Sequence, residues 1–445
     1  MNLRRWLQPG IGVKRWLLVV FAGELLVALF GAFVLKQFYS DARVGAPFEG
    51  AVYVTTLQFL PYWTRGVILG SLGLAVFLIG SLRLIRAVTE PLRGADADQP
   101  LVEVIYQKRF LARGPRIVAI GGGTGLSTLL RGLKEHTSNL TAIVAVADDG
   151  GSSGMLRTVL GMPPVGDIRN CIVALADAEP LMGQLLQYRF PADGERAGDE
   201  DPHTLAGHAI GNLLIAAMTA IEAGDFEEGV RQMNRVLAVR GQVLPACPAP
   251  LTLHARLGDG TEVAGQSRIA RTSDIDRVWV TPDGATASAD ALAAIAEADV
   301  IVLGPGSLYT SLLPTLLLPD LRDAVASSAA MRIYVCNVAT QPGETTGYDL
   351  ADHLEALERH TAPGMVDVVL ANNDFTARTP ADWHAEPVRL RWPPTGVSQP
   401  RLVLDDIVDA TNAHHHDPAR LATSVIRIAE SAPAARRRTR AARSA

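Results

Sequence analysis

The sequence predicts an α/β protein: a Rossmann-like, open and mostly parallel sheet with helices on both faces, preceded by a two-helix transmembrane hairpin. Three observations predict this fold class. After Arg116, short β-branched runs alternate with helical patterns, as they do in a parallel sheet. Glycine-rich turns follow several of these runs. Before them lie two long apolar runs that carry almost no charge, which is typical of membrane spans.

The composition of the 445 residues excludes several classes of protein. Hydrophobic residues make up 48% and charged residues 20%, whereas about a quarter of the residues in a soluble protein are charged. The formal net charge of -5 argues against nucleic acid as a partner, because nucleic-acid-binding proteins carry a basic field. Cys171, Cys247 and Cys336 are too few and too far apart for a disulfide framework or a cysteine zinc site, which fits a reducing compartment.

The apolar excess lies in a predicted N-terminal membrane anchor, residues 1–86, with transmembrane helices at about 16–35 and 66–85. A helix of about 20 residues spans the ~30 Å core of a bilayer. The first run holds a single charge, Glu24, which we interpret as a packing or oligomer contact. The length of this run and the second span after it argue against a cleaved signal peptide. A buried soluble hairpin is the alternative.

Basic residues flank the two runs and predict their orientation. By the positive-inside rule, both termini and the main domain lie in the cytoplasm, and a short loop lies outside. The protein is therefore expected in the cell membrane, as a multi-pass protein with two spans. The flanking basic residues are Arg4, Arg5, Lys14 and Arg15 before the first span and Arg83, Arg86 and Arg93 after the second.

Three segments follow the predicted anchor. Residues 87–115 are polar and mixed in charge, which is typical of a juxtamembrane linker. Residues 116–431 form the main domain. Residues 432–445 form a basic tail, interpreted either as a solvated disordered segment or as a contact with anionic lipid.

The elements of the main domain are predicted from periodicity. An Asp259-Gly260 pair within Leu251–Ala264 predicts a β-hairpin inserted into the main alternation. The clearest strands are Ile117–Ile120, Ala142–Ala147, Val300–Leu303, Ile333–Cys336 and Val366–Ala371. The helices between them are Ser127–His136, Ile168–Ala178, Ala209–Glu222, Ala287–Glu297 and Asp349–His360.

The turns after the strands are the candidate site, because ligands of open α/β sheets bind at the carboxyl ends of the strands. A glycine-rich turn after the first strand opens a helix, where backbone N–H groups and the helix N-terminus can meet a phosphate. Its candidate residues are Gly122, Gly123, Thr124 and Gly125. Asp148 and Asp149 follow the second strand, where a Rossmann unit binds a ribose hydroxyl. Together the glycines and the acids predict a nucleotide site.

Later segments add further candidates. Arg169 lies in the first turn of a helix, after the predicted N-cap Asp167, and binds either an external phosphate or a surface acid. Asn212 opens an apolar helix and binds either a base or sugar or the backbone. A second glycine-rich turn and the next strand end contribute Gly304, Gly306, Ser307, Tyr309 and Asn337.

Two segments that contain histidines are predicted to have no catalytic or metal-binding role. His203 and His208 border an acidic loop and are expected to be solvated, so no general base is evident. The run from His414 to Asp417 has the residue types of a metal site but lies outside the strand-end crevice, so it is interpreted as an exposed lead-in to a helix that begins at Pro418.

Seven segments, in matching order, resemble the YvcK family of gluconeogenesis factors, which is related to the CofD-type 2-phospho-L-lactate transferases. The resemblance runs from about Arg116 to Val408 and covers neither the hairpin nor the tail, so it indicates a membrane-anchored version of the family. The segments are GGGTGLSTLLRGLK, VADDGGSSG, PPVGDIRN, GNLLIAA, GQVLP, VLGPGSLYTS and VCNVATQPGET.

The resemblance implies a domain that binds UDP-sugars, notably UDP-N-acetylglucosamine, and a link to carbon flow into cell-wall precursors and to cell shape. It implies no established reaction. One departure is the sequence Gly-His-Ala-Ile-Gly-Asn ending at Asn212, which changes the surroundings of that residue. The resemblance also implies which residues of this chain contact the ligand. The nucleotide or its diphosphate would be bound by Gly122, Gly123, Thr124 and Gly125, and a ribose or a metal by Asp148 and Asp149. Asn212 would lie near the ligand, and the diphosphate or sugar would be flanked by Gly306, Ser307 and Tyr309.

Two functions from different classes follow. In the first, the protein is a regulator at the cytoplasmic face of the membrane that binds a nucleotide sugar without turning it over. In the second, it is a CofD-like phosphotransferase that uses a nucleotide-diphosphate-linked phospho-acyl donor and Mg²⁺. Asp148 and Asp149 would hold that metal, although neighbours on an extended chain point apart. NAD-dependent oxidoreduction is weaker, since Leu126 replaces the third glycine of the fingerprint. The sequence is also compatible with a homo-oligomer.

Overall fold

The computed structural model describes residues 110–176, 180–191, 205–376, 384–393 and 398–431, together with scattered positions between 21 and 79. It divides the chain into two compact units, Met1–Arg109 and Phe110–Ala445.

The first unit contains both predicted spans, which lie mostly outside the described residues. The scattered positions described within 16–35 and 66–85 are helical, and several carry exposed large apolar side chains, among them Phe21 and Val67. Within the part of the chain that the structure describes, no helix combines the length and the hydropathy needed to cross a membrane. Most of the predicted linker and the whole tail, 432–445, also lie outside the described residues.

The second unit is built on a seven-stranded sheet in which every neighbouring pair is parallel. The strands are β1 (Ile117–Gly121), β2 (Leu140–Val144), β3 (Gln242–Pro245), β7 (Val300–Leu303), β8 (Met331–Val335), β9 (Val368–Asn372) and β10 (Arg401–Asp405). Their order in the sheet is β10-β9-β8-β7-β1-β2-β3, so the order reverses between β1 and β7. Such a reversal is the topological switch point at which Rossmann-type sheets bind their ligands.

Helices connect the strands, and a π-helical turn, Leu308–Leu312, follows β7. All residues of β1, β2 and β9 are buried, as expected for parallel strands covered on both faces. The helices are α1 (Gly123–Leu133), α2 (Gly151–Leu160), α3 (Gly166–Leu175), α4 (Pro180–Gln187), α5 (Ile210–Ile221), α6 (Phe226–Val236), α7 (Gln266–Ile269), α8 (Ala289–Glu297), α9 (Leu313–Leu316), α10 (Pro319–Ser327), α11 (Leu350–His360) and α12 (Pro418–Glu430).

The predicted Rossmann-like parallel sheet is confirmed, with shifted boundaries. β7 has the predicted bounds, whereas β2 begins and ends earlier than predicted. The sequence interpretation missed β3 and β10, which are the two edge strands. Edge strands are short and partly exposed, so their hydrophobic signal is weak.

The predicted β-hairpin is also present. β4 (Thr252–Leu257) pairs with β5 (Glu262–Ala264) in antiparallel register, and the unpredicted β6 (Ile275–Thr281) makes this a three-stranded sheet. Short α7 follows β5 and lies beside the crevice of the main sheet through its contact with Asp149.

The start of the second unit includes the end of the predicted linker. Nδ2 of Asn139 donates to the carbonyl oxygen of Gly114 at 2.8 Å, and the Thr137 hydroxyl donates to that of Pro115 at 3.0 Å. Residues 110–115 are therefore attached to the main domain by side chains from the α1–β2 connection.

The predicted exposed lead-in at His414–Asp417 is wrong. Asn412–His416 forms β12, which pairs with β11 (Val408–Asp409). His416 is 6% exposed, and its Nε2 lies 3.2 Å from the carbonyl oxygen of Cys336 at the end of β8. Burial lowers the pKa of His416 to about 4. The helix begins at Pro418, as predicted, and Asp417 caps α12 by accepting the Arg420 N–H at 2.8 Å.

Candidate functional site

The two predicted glycine-rich turns meet at the switch point between β1 and β7. A Cβ atom added to Gly125 would lie 2.5 Å from the carbonyl oxygen of Pro305 and 2.9 Å from the Cα atom of Gly306. Both distances are shorter than a van der Waals contact, so the close approach of the turns requires glycine at position 125. The structure thus brings Gly122–Gly125 and Gly304–Gly306 together at one crevice.

The first glycine turn already holds an acidic side chain. A Cβ atom on Gly122 would lie 2.6 Å from Oδ2 of Asp167, and the Gly123 N–H donates to the Asp167 carboxylate. A carboxylate therefore occupies one of the backbone donors expected to meet a phosphate. Helix α1 has no side-chain cap, so the N–H groups of Thr124 and Gly125 are the donors that this turn can offer to a ligand.

Asp167 was predicted as a helix N-cap, and that prediction is wrong. The N-cap of α3 is Val165, and Asp167 lies within the first turn with its carboxylate directed to the β1 turn. Burial, followed by the nearby charge of Asp148, raises the pKa of Asp167 to about 7. Sequence reasoning missed its place in the site, because the pairing with Asp148 depends on the fold.

Asp148 and Asp167 form the acidic pair of the crevice. Burial raises the pKa of Asp148 as well, although its Oδ1 accepts the Gly150 N–H at 3.0 Å. A divalent cation would fit this pair, because its charge would stabilise the ionised form of two carboxyl groups whose pKa values are raised. Mg²⁺ typically binds to proteins through one or two carboxylates together with the phosphates of a substrate. Among the described residues, no group of three or more His, Cys, Asp or Glu side chains forms a metal cluster.

Asp149 does not share this pair. Its side chain is exposed and turns to the small sheet, where Oδ1 accepts the Ser267 N–H at 2.8 Å. The metal pair considered for Asp148 and Asp149 is therefore not formed, and Asp167 takes the place of Asp149.

Arg169 lies on the next helix along the crevice wall. Its Cγ and Cδ atoms pack against Gly211 of α5, where an added Cβ would lie 2.8 Å from each. Nη2 donates to Oδ1 of Asn170 at 2.9 Å, and the buried Nε has no partner among the described residues. Burial and then the charge of Arg189 lower the pKa of the Arg169 guanidinium. Of its two predicted roles, the surface ion pair is absent from the described part of the chain.

Asn212 is held in a buried network at the start of α5. Its Nδ2 donates to the Ser152 hydroxyl at 3.0 Å, and Oδ1 is buried without a partner among the described residues. The Ser152 oxygen lies 3.1 Å from Nδ1 of His208. His208 was predicted to be solvated, but it is 4% exposed, and burial and Arg189 lower its pKa.

The second glycine turn is tied to the end of β8. The Gly306 N–H donates to Oδ1 of Asn337 at 3.1 Å, and Nδ2 of Asn337 donates to the Gly306 carbonyl oxygen at 3.0 Å. The N–H and the carbonyl oxygen of Gly306 are thus both hydrogen-bonded within the protein. Nε2 of Gln341 donates to the Ser307 oxygen at 2.6 Å, which leaves the Ser307 hydroxyl proton for a ligand.

Tyr309 is not part of the crevice surface. Its side chain is 0% exposed, and its hydroxyl lies 2.9 Å from that of Tyr348. The N–H groups of Tyr309 and Thr310 donate to Oε1 of Glu344 at 2.6 and 3.0 Å, and the Thr310 hydroxyl donates to Oε2. Burial raises the pKa of Glu344 to about 7. Sequence reasoning did not single out Glu344, which stabilises the π-helical turn from a distant loop.

Glycine-rich turns at the switch point of a parallel sheet are typical of Rossmann-like α/β proteins, and this is the class to which the fold belongs. The chain belongs to the family described as 2-phospho-L-lactate transferase CofD, whose model matches residues 117–390.

Within that family the chain is similar to proteins called gluconeogenesis factors. The gluconeogenesis factor of Bacillus subtilis is 49% identical over 265 residues, which are 59% of this chain and 80% of that protein. A relative from Nostoc is 44% identical over 435 residues, which are 95% of this chain and 92% of its own. The Nostoc match therefore extends into residues 1–109. The resemblance to the gluconeogenesis factors is confirmed.

A solved structure shares the fold. The crystal structure of a UPF0052 family protein from Bacillus halodurans has a TM-score of 0.63 and 43% identity, and the match covers 70% of this chain and 99% of that one.

Proposed function

We propose that the crevice binds a nucleotide diphosphate sugar of the UDP-N-acetylglucosamine type and that the chain acts as a regulator that senses this ligand. One observation carries the proposal: Nε of Arg169 and Oδ1 of Asn212 are buried without partners among the described residues, and Arg169 lies near the acidic pair of Asp148 and Asp167. An unpaired buried polar group costs about 1–3 kcal/mol, which a ligand can recover on binding.

In this proposal the diphosphate lies across the two turns. The N–H groups of Thr124 and Gly125 and the hydroxyl of Ser307 donate to its oxygens. Mg²⁺ held by Asp148 and Asp167 would neutralise the charge of the acids and of the diphosphate when it is bound. Asp149 is exposed at the rim of the crevice, where a sugar hydroxyl can reach it.

We further propose that the regulator controls carbon flow into cell-wall precursors, and with it cell shape, from the cytoplasmic face of the membrane. The name gluconeogenesis factor given to relatives supports the link to carbon metabolism. The apolar runs at 16–35 and 66–85 and their basic flanks support the anchor. A UDP-sugar is a branch-point metabolite, so a protein that senses it without consuming it can report precursor supply.

The test is calorimetric titration of UDP-N-acetylglucosamine into the purified full-length chain, with and without Mg²⁺. Saturable binding is expected, tighter with Mg²⁺, and chromatography should recover the sugar nucleotide unchanged after long incubation. Asp148→Asn should abolish the Mg²⁺ enhancement, whereas the exposed Asp323→Asn on α10 should retain it. Absence of binding under all conditions would contradict the proposal.

A second candidate is a CofD-like phosphotransferase that moves a phospho-acyl group from a nucleotide-diphosphate donor. The buried acidic pair favours it, because phosphoryl transfer uses a divalent ion to stabilise developing charge. Release of UMP or UDP from the sugar nucleotide in the same incubation, lost in Asp148→Asn, would favour this enzyme over the regulator.

A further inference from the structure

Helices α4 and α5 present apolar side chains on the outside of the second unit. Neither helix contains a charged residue. In α5 the usual amphipathic pattern is reversed, because the polar Asn212 and Thr219 are buried while Leu214 and Ile221 are exposed. We call the exposed apolar side chains of the two helices and of the residue after α4 the α4–α5 face. They are Leu181, Met182, Leu185, Tyr188, Leu214 and Ile221.

The two helices adjoin, so these side chains belong to one surface. The carbonyl oxygen of Leu186 in α4 would lie 2.6 Å from a Cβ atom on Gly211 in α5, so the helices touch at a glycine. Just beyond α4, Arg189 pairs with Ala209 in an antiparallel bridge. The chain therefore reverses direction at this junction, and α4 and α5 pack against each other.

The size of the α4–α5 face matches an interface between proteins. Its members are between 40% and 72% exposed, and six large side chains at that exposure present on the order of 600 Å² of surface. A stable interface buries about 800 Å² on each partner, of which about 65% is apolar in homodimers. The face thus supplies the apolar area that one half of a homodimer interface needs.

Charge distinguishes a second copy of the chain from a lipid surface as the occupant. Helices that lie on membranes carry Lys or Arg beside their apolar face, and α4 and α5 carry neither. The segment between them, 192–204, which includes His203, lies outside the described residues; its sequence has five acidic residues and one arginine, and so disfavours anionic lipid. A face without charge can meet its own copy without repulsion, as a two-fold interface requires.

We propose that the α4–α5 face is the interface of a homodimer, in which α4 and α5 of one protomer pack on α4 and α5 of its partner about a two-fold axis. The four helices then form one layer with a shared apolar core. Asn212 is buried on the inner side of α5, so the interface uses none of the candidate site residues. The inference goes beyond the proposed function and does not depend on its ligand.

Cross-linking of the full-length chain in the cells that express it tests the interface. Cys171, Cys247 and Cys336 are buried, so a cysteine introduced on the surface reacts alone. Ala217 is exposed between Leu214 and Ile221 on α5. With a short bis-maleimide, Ala217→Cys should yield mainly covalent dimer, and the exposed Ala326→Cys on α10 mainly monomer.

Three outcomes would overturn the homodimer. They are equal dimer yields from the two cysteine variants, a cross-link from Ala217→Cys to a different protein, and a monomer whose new cysteine is shielded from a water-soluble maleimide only while membranes are present. The last outcome would assign the face to lipid.

A matched pair of leucine variants tests the face itself. Leu214 and Leu404, which lies on edge strand β10, are 41% and 42% exposed. Adding Leu214→Glu to the Ala217→Cys chain should lower the dimer yield at least about ten-fold, because two like charges would meet in an apolar interface. Adding Leu404→Glu should leave the yield unchanged. An undiminished yield with Leu214→Glu would refute the interface.

Discussion

The two glycine-rich turns of the crevice have similar sequences and different surroundings. Around the turn after β1, Nε of Arg169 and Oδ1 of Asn212 lack partners among the described residues, and Asp148 faces Asp167. Around the turn after β7, Gly306 is bonded through both its N–H and its carbonyl to Asn337, although Oε1 of Gln341, which binds Ser307 through Nε2, lacks a partner among the described residues. The difference teaches that both turns mark the ligand edge of the sheet, and that the second turn, which still offers the Ser307 hydroxyl to a ligand, is also held in a framework of internal hydrogen bonds.

The largest effect is expected from breaking the framework at Glu344. Glu344→Ala should lower the free energy of unfolding by about 3 kcal/mol, because the N–H groups of Tyr309 and Thr310 and a hydroxyl lose their acceptor in the core. Urea denaturation followed by circular dichroism measures the change. The exposed Glu386→Ala should change it by less than about 0.5 kcal/mol. A loss below about 1 kcal/mol in the Glu344 variant would contradict the framework role.

Gly125→Ala forces the two turns apart and should affect both of them. The added methyl group would overlap Pro305, so we expect a loss of about 2 kcal/mol in unfolding free energy, together with weaker ligand binding. Gly183→Ala in α4 is the matched control: its Cβ would have a 3.9 Å contact, and it should stabilise the helix slightly. Similar stability changes in both variants would show that the turns are not in tight contact.

Asp167→Asn tests how the buried acid at the first glycine turn makes the stability of the protein depend on pH. The pKa of Asp167 is raised to about 7, so the folded state binds a proton that the unfolded state has lost, and stability falls as pH rises from about 4 to about 7. The amide variant removes the Asp167 part of that slope, while Glu344, whose pKa is also raised to about 7, keeps its own part. The variant should be more stable than the parent at pH 8, by about 1.5 kcal/mol after allowance for partial exposure. Unfolding free energies measured at intervals between pH 4 and pH 8 test this. A slope equal to that of the parent would show that Asp167 does not titrate in this range.

Tyr309→Phe should have the smallest effect. It removes the hydrogen bond to Tyr348 in the framework, which should lower the free energy of unfolding by about 1 kcal/mol. The affinity for UDP-N-acetylglucosamine should stay unchanged, because the Tyr309 side chain has no exposed surface. A clear loss of affinity at unchanged stability would place Tyr309 at the ligand after all.

The central strands were predictable because each is a buried β-branched run. Val300–Leu303 coincides with β7, and Ile117–Ile120 lies within β1. Edge strand β10 was missed because only one side of it pairs and its residues are partly exposed, which weakens the pattern. The hairpin was predictable from Asp259-Gly260, since a two-residue turn is a local property.

The candidate site was predictable to the level of its turns but not of its pairings. Asp148 was recognised from its place after β2, whereas its partner Asp167 lies on another helix. The role of Glu344, which lies in the segment VCNVATQPGET, was not predicted, because its two backbone donors are 35 and 34 residues away in the chain. Burial of His208 was likewise missed, since the acidic loop beside it suggested solvent.

The amino-acid sequence by itself determined the α/β class, the family and the edge of the sheet at which ligands are expected. Hydrophobic periodicity and glycine turns are local, so they can be read without the fold. Only the tertiary structure decided that the Asp167 carboxylate contacts the first glycine turn, that Gly306 is bonded to Asn337, and that Nε of Arg169 and Oδ1 of Asn212 have no partner among the described residues. The physical reason is that hydrogen-bond satisfaction and pKa depend on burial and on partners brought together from distant parts of the chain.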